Sequence, residues 1–243
     1  MVYLIGAGPG DPGLITYKGL QILKSCDAVI YDRLGTGELL DLVRPDCAKI
    51  YVGKQAGAHY KKQEEINRIL VETAGKYEKV VRLKGGDSFV FGRGGEEILT
   101  LQEADIPFQV IPGVTSAIAV PEVLGIPVTH REMSRSFHVI TGHTADNLSP
   151  EVEKIRWKSY AKIDETFVFL MGLKSIDMIT GKLMRYGKPE DTAVAVIHGN
   201  NSDGTYVKLV GTLSDIAEKV KTADFPSPAI IVVGEVASLE LTD

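Results

Sequence analysis

The chain has 243 residues, 44% hydrophobic and 24% charged, which excludes disordered and fibrous classes and leaves one large globular domain or two modest ones. A formal net charge of −5 excludes a global field that favours nucleic acid or an anionic membrane, so a polyanionic ligand needs a locally basic pocket. Two cysteines, Cys26 and Cys47, form no CxxC and have no histidine at ligand spacing, which predicts inert buried thiols, a reducing cytoplasm and no metal site.

The first apolar run, at 2–5, predicts a strand, and Gly6 breaks it before it can serve as a signal peptide. Helical patterns near 14–25 and 36–43 alternate with strands at 28–31 and 48–53. A helix over 61–76 carries Ile66, Ile69, Leu70 and Ala74 at helical spacing, and a strand at 79–84 runs into a glycine turn. A helix at 94–104 has glutamates in its first turn, as the helix dipole favours. The stretch 108–128 holds one charge, Glu122, but three prolines; it reads as a strand, a turn and a helix kinked or shortened at Pro121, not a membrane span.

After a connection at 125–136 the pattern restarts with strands at 137–142 and 166–172 and helices at 150–162 and 174–186. Strands at 193–197 and 205–210 have no helix between them and predict an antiparallel pair, followed by a helix at 212–222 and a last strand from 229. The expected fold class is therefore α/β, with two domains, 1–128 and 129–243, a mostly parallel first sheet and a mixed second sheet.

The loop after the first strand tests the chemistry. Gly8, Gly10 and Gly13 satisfy the GxGxxG spacing, and Asp32 ends the second strand where a ribose is read, so a nicotinamide cofactor fits the pattern. A pyrophosphate, however, needs backbone N–H donors at a bare helix N-terminus. Pro9 and Pro12 each remove a donor, and Asp11 puts a negative charge where phosphates lie. A plain strand–helix corner needs fewer glycines than this loop has. A nucleoside without phosphate, such as S-adenosylmethionine, fits best.

Other candidates follow in chain order. Asp32 and Lys54 lie just past consecutive strands, where an acid and an ammonium suit proton transfer or a plain salt bridge. Gly85, Gly86 and Asp87 form a turn suited to an adenosine or amino-acid ligand, flanked by Arg82 and Arg93, which suit carboxylates or solvent. Thr115 and Ser116 open a helix, as caps or as ligand contacts. His130, Arg131 and Arg135 make a basic cluster in the connection, suited to an anionic substrate or to solvent.

The segments "GAGPGDPGLIT", "YDRL", "VGKQAG", "RLKGGDSFVFGRGGEE", "IPGVTSA", "GIPVTHR", "VFLMG" and "IIVVGEV" resemble the tetrapyrrole methylase family over nearly the whole chain. "VGKxxG" and "RLKGGDxFxFGRG" are similar to those members that methylate uroporphyrinogen III. The resemblance implies a homodimer of two α/β domains with the cofactor in a cleft between them. It implies methyl transfer from S-adenosylmethionine to two ring carbons of uroporphyrinogen III, giving precorrin-2 for sirohaem and cobalamin-type pathways and leaving S-adenosylhomocysteine. It also implies that the dehydrogenase/chelatase domain fused to some relatives is lacking. The alternatives are a methyltransferase for a later precorrin, a nicotinamide oxidoreductase and a non-catalytic binding module.

By the same resemblance Pro9, Gly85, Gly86, Asp87, Val90, Thr115, Ser116 and Met171 line the cofactor site. Asp32 matches a proton acceptor and Lys54 a donor, while Arg82, Arg93, His130 and Arg131 face the substrate. Two departures stand out. Ser88 replaces the usual Pro, and "IHGNNSDGTYV" replaces a glycine-threonine stretch, so the matching cofactor contact is Gly199 or Asn200.

Overall fold

The computed structural model describes residues 1–34, 37–53, 63–142, 149–199, 205–239 and 241. It divides into two compact units, Met1–Ser116 and Ala117–Gly199 with Thr205–Asp243.

In the first unit β1 (Val2–Gly6), α1 (Tyr17–Leu23), β2 (Ala28–Tyr31), β3 (Ala48–Tyr51), α2 (Gln63–Ala74), β4 (Val80–Lys84), α3 (Gly94–Glu103) and β5 (Phe108–Ile111) follow in order, and α4 (Ser116–Val123) begins at the border. The sheet order is β3-β2-β4-β1-β5, and every pair is parallel. Strand alternation sends Ile5, Val29, Val81 and Leu83 to one face with Leu23 and Leu39. Leu4, Ile30 and Val80 go to the other face, under Ile66, Leu70 and Leu101 of α2 and α3. With both faces covered, the loops at the carboxyl ends of the strands are where a ligand meets the backbone.

The second unit contains β6 (Phe137–Thr141), α5 (Pro150–Lys162), β7 (Thr166–Leu170), α6 (Ile176–Arg185), β8 (Ala193–Gly199), β9 (Tyr206–Thr212), α7 (Ile216–Thr222) and β10 (Ala229–Val233). Its order is β6-β7-β10-β8-β9: β6 and β7 are parallel, and the other pairs are antiparallel. The expected α/β class, parallel first sheet, mixed second sheet and antiparallel β8/β9 pair are all present. Phe167, Phe169, Ile179, Leu183, Val196 and Ile231 form the centre of its core.

Element boundaries shift for local reasons. The first helix starts at Tyr17, where the Thr16 hydroxyl accepts the Gly19 N–H; the residues before it make a separate 3-10 turn, Pro12–Leu14. Pro121 stays inside α4, which ends at Val123. The last helix begins at Ile216 because β9 runs on to Thr212, whose N–H is taken by the Asp215 carboxylate at 2.7 Å. No helix among the described residues is long and apolar enough to cross a membrane.

Candidate active site

Three glycines bring the loops after β1, β4 and β5 into backbone contact. The Ala7 N–H donates to the Lys84 carbonyl at 2.7 Å, and Gly8 and Gly86 then exchange hydrogen bonds at 3.2 and 2.7 Å. A Cβ on Gly6 would sit 2.5 Å from the Gly113 Cα, and one on Gly113 would sit 2.3 Å from the Gly86 carbonyl oxygen. The Asp87 carboxylate locks the junction by accepting the Phe89 N–H at 2.8 Å and the Gly113 N–H at 2.9 Å. Thr16 adds a fourth tie with its hydroxyl to the Pro112 carbonyl at 3.3 Å.

The paired glycines of the β4 loop have different tasks. Gly85 makes room for the β2 loop, since its Cβ would lie 2.5 Å from the Leu34 carbonyl oxygen. Gly86 holds φ at +65°, and the nearest atom to a Cβ there is the Ser116 N at 3.8 Å. It leaves open space before the first turn of α4, a cradle that a side chain would fill. Buried Pro9 and half-buried Val90, Thr115 and Ser116 belong to the same set of loops.

Asp11 settles the chemistry of the glycine loop. Its carboxylate accepts the Gly13 N–H at 2.7 Å and caps the Pro12–Leu14 turn, so the loop supplies its own anion where a phosphate would have to bind. The residues fit an uncharged nucleoside or a sulfonium ligand and do not fit a dinucleotide.

Asp32 follows β2 and half-faces solvent. One oxygen accepts the Leu34 N–H at 3.1 Å, and the other lies 3.4 Å from Arg82 Nη2. Arg82, expected to face the substrate, is 2% exposed, and its guanidinium also reaches Glu97 at 3.0 Å, the Leu83 carbonyl at 3.0 Å and the Ile30 carbonyl at 3.5 Å. Its donors are thus engaged by protein groups. Lys84, 5% exposed, donates to the same Glu97 oxygen at 2.9 Å. Burial pushes the Lys84 ammonium below its ordinary pKa, and the neighbouring Arg82 charge adds to this. Glu97 is fully buried, and its second oxygen has no hydrogen-bond partner among the described residues. Desolvating each such ion costs several kcal/mol (roughly), so this network is an expensive core.

Neither Lys84 nor Glu97 was singled out from the sequence, although a signal was there. Arg82 and Lys84 alternate with Val81 and Leu83 along a central strand, and Glu97 is one turn before buried Leu101. Arg93 is exposed, sits at φ 57° before α3 and clasps Glu96 at 2.9 and 2.6 Å. Leu34, Phe89 and Phe91 stand exposed on these loops and were also missed. Lys54 and Asn200 lie outside the described residues.

In the second unit, Met171 follows β7 with an exposed side chain at φ 57°. Gly199 ends β8 opposite Tyr206, whose ring would be 2.0 Å from a Cβ there. Thr129, His130, Arg131, Ser134 and Arg135 line one open pocket. The turn beneath it is closed by reciprocal backbone bonds between His130 and Ser134 at 2.8 and 2.9 Å. Glu165 braces the turn by accepting the Ser136 N–H at 2.9 Å, and that bond holds its carboxyl below the usual range. The structure thus gathers Pro9, Gly85, Gly86, Asp87 and the Asp32 loop at one sheet edge, and His130 with Arg131 at one turn.

The model of the Tetrapyrrole (Corrin/Porphyrin) Methylases matches residues 1–217. The chain is a tetrapyrrole methylase. Uroporphyrinogen-III C-methyltransferase of Methanocaldococcus jannaschii is 51% identical over 98% of this methylase and 97% of its own length. Siroheme synthase of Photorhabdus laumondii is 48% identical over 97% of the methylase, which spans 49% of that longer chain. The crystal structure of uroporphyrin-III C-methyl transferase from Thermus thermophilus complexed with S-adenyl homocysteine superposes with a TM-score of 0.80, at 38% identity over 97% of either chain. A cobalt precorrin-4 methyltransferase superposes at 0.82 with 26% identity, over 98% of this methylase and 96% of its own chain.

Proposed function

We propose that this methylase transfers methyl groups from S-adenosylmethionine to two ring carbons of uroporphyrinogen III, forming precorrin-2. The observation that carries the reading is the self-capped glycine loop: Asp11 closes the turn to phosphate while Gly86 leaves a cradle before α4. The relatives named above, a uroporphyrinogen-III C-methyltransferase and a uroporphyrin-III C-methyl transferase among them, support the acceptor.

Pro9, Gly85, Gly86, Asp87, Val90, Thr115, Ser116 and Met171, with Gly199 or Asn200, would hold the cofactor, which supplies an electrophilic methyl group on a sulfonium. A pyrrole ring carbon is already nucleophilic, so the chain's task is alignment, which alone is worth about 7–11 kcal/mol. Asp32 accepts the proton that the ring gives up as its carbon gains the methyl and the sulfonium becomes a neutral thioether, and Lys54 is the proton donor when the ring tautomerises, gaining a proton at one position as it loses one at another. His130 and Arg131, joined by Arg93, pair with the acidic side chains of the macrocycle. The protein acts as a homodimer in the cytoplasm, in domains 1–128 and 129–243.

The test is turnover of uroporphyrinogen III with labelled S-adenosylmethionine. Asp32→Ala should lower kcat by about 10²–10⁴ while S-adenosylhomocysteine binds nearly as before. Unchanged turnover would remove Asp32 from the mechanism. A later precorrin as acceptor is the second reading, favoured by the likeness to the cobalt precorrin-4 enzyme. Preference for such an acceptor in direct competition decides for it.

A further inference from the structure

We infer that Arg82, braced by Glu97, is the positioning residue for Asp32, and that the buried network exists to fix this one carboxylate. The inference rests on the reading of Asp32 as the proton acceptor.

The geometry assigns each atom a task. Arg82 Nε is bound to Glu97 at 3.0 Å, Nη1 to the Leu83 carbonyl at 3.0 Å, and Nη2 faces Asp32 at 3.4 Å. The Ile30 carbonyl, in the strand that carries Asp32, lies 3.5 Å from Nη1. One planar group therefore reads both the backbone of β2 and the side chain just beyond it. Leu34 N–H holds the other Asp32 oxygen, so both oxygens are fixed from two sides. Glu97 comes from α3, and Lys84 balances its charge on the same oxygen.

Stability alone does not call for this arrangement. Val80 precedes Arg82 and Lys84 on the same face of β4 and packs against Leu70 and Leu101, so apolar side chains would continue that core. Lysine cannot replace the function of Arg82, because a point charge reaches Glu97 or Asp32 but does not span them as the fork does. Arg82 meets Glu97, the Ile30 and Leu83 carbonyls and Asp32, all protein groups, so its effect on chemistry passes through Asp32.

A double-mutant cycle tests this on the full chain, with Arg82→Lys and Glu97→Gln made in native and Asp32→Asn backgrounds. Either variant should lower kcat by about tenfold or more in the native background, with the KM for uroporphyrinogen III and the affinity for S-adenosylhomocysteine within about twofold. In the Asp32→Asn background the same changes should lower kcat by less than about twofold, because their route to the chemistry is already cut. Thermal unfolding identifies a variant that fails to fold, and the other then carries the test. Equal losses in both backgrounds, or parallel losses of kcat and cofactor affinity, mean a structural role and overturn the inference alone. No turnover of uroporphyrinogen III by the unsubstituted protein overturns the functional reading and the inference with it.

Discussion

Cys26 and Cys47 lie with their sulfurs 3.5 Å apart in the first core, and both are free. Burial first, then the neighbouring thiol, push Cys26 up from 9.0 to about 12. The folded state thus keeps a proton that the unfolded state gives up. This contribution to stability is complete below pH 9.0 and is lost as the pH rises through about 12. Stability measured by urea unfolding should fall across that window, and less so in Cys26→Ala. At pH 8 a chromogenic disulfide reagent should find no reactive thiol until denaturant is added; rapid native labelling would contradict the buried assignment. Ser88 offers a second test at this scale. It is fully buried, and its hydroxyl has no hydrogen-bond partner among the described residues. Its carbonyl accepts the Gly94 N–H at 2.9 Å, but its own N–H donates to nothing among the described residues. Ser88→Pro should raise stability by about 0.4–1 kcal/mol through the unfolded chain, with more from removing the orphan hydroxyl. A lower urea midpoint would show that the turn needs a conformation proline does not adopt.

The loops after β1, β4 and β5 depend on Gly113 having no side chain. Gly113→Ala forces the junction apart, and we expect a loss of about 1–3 kcal/mol in unfolding free energy together with weaker S-adenosylhomocysteine binding. Equal stability and affinity would mean that the contact yields at little cost. Elements were legible where one period dominated: α2, with its regular apolar spacing, and the antiparallel β8/β9 pair, with no helix between, were read directly. Boundaries set by side-chain caps were not. Thr16 and Asp215 decide where α1 and α7 begin, and such a bond depends on local geometry that spacing does not carry. The site divides in the same way. The glycine loop could be judged against phosphate from its own residues, because each proline removes a donor wherever the chain lies. Arg82 was read as a substrate contact, because its partners come from the loop after β2 and from α3, fifty positions before it and fifteen after. The conflict between a central strand and a guanidinium was the only local hint.

A ligand that binds the folded chain raises its stability by mass action. S-adenosylhomocysteine at one hundred times its dissociation constant should add about 2.7 kcal/mol and raise Tm, whereas NAD should leave Tm in place. A rise with NAD alone would overturn the assignment of the glycine loop. The class of the whole molecule was legible because strand–helix alternation in the first unit and its interruption in the second are order effects along the chain. The strand order has a further consequence, for synthesis. β1 emerges first, yet its neighbours are β4 and β5, with Val2 beside Val80 and Phe108. At roughly 5–20 residues per second, an apolar strand waits for several seconds, up to a quarter of a minute, before its first partner has been made. The glycines that follow it cannot meet until β5 has been made as well, so the same junction that shapes the cradle is among the last parts of the nascent first unit that can close.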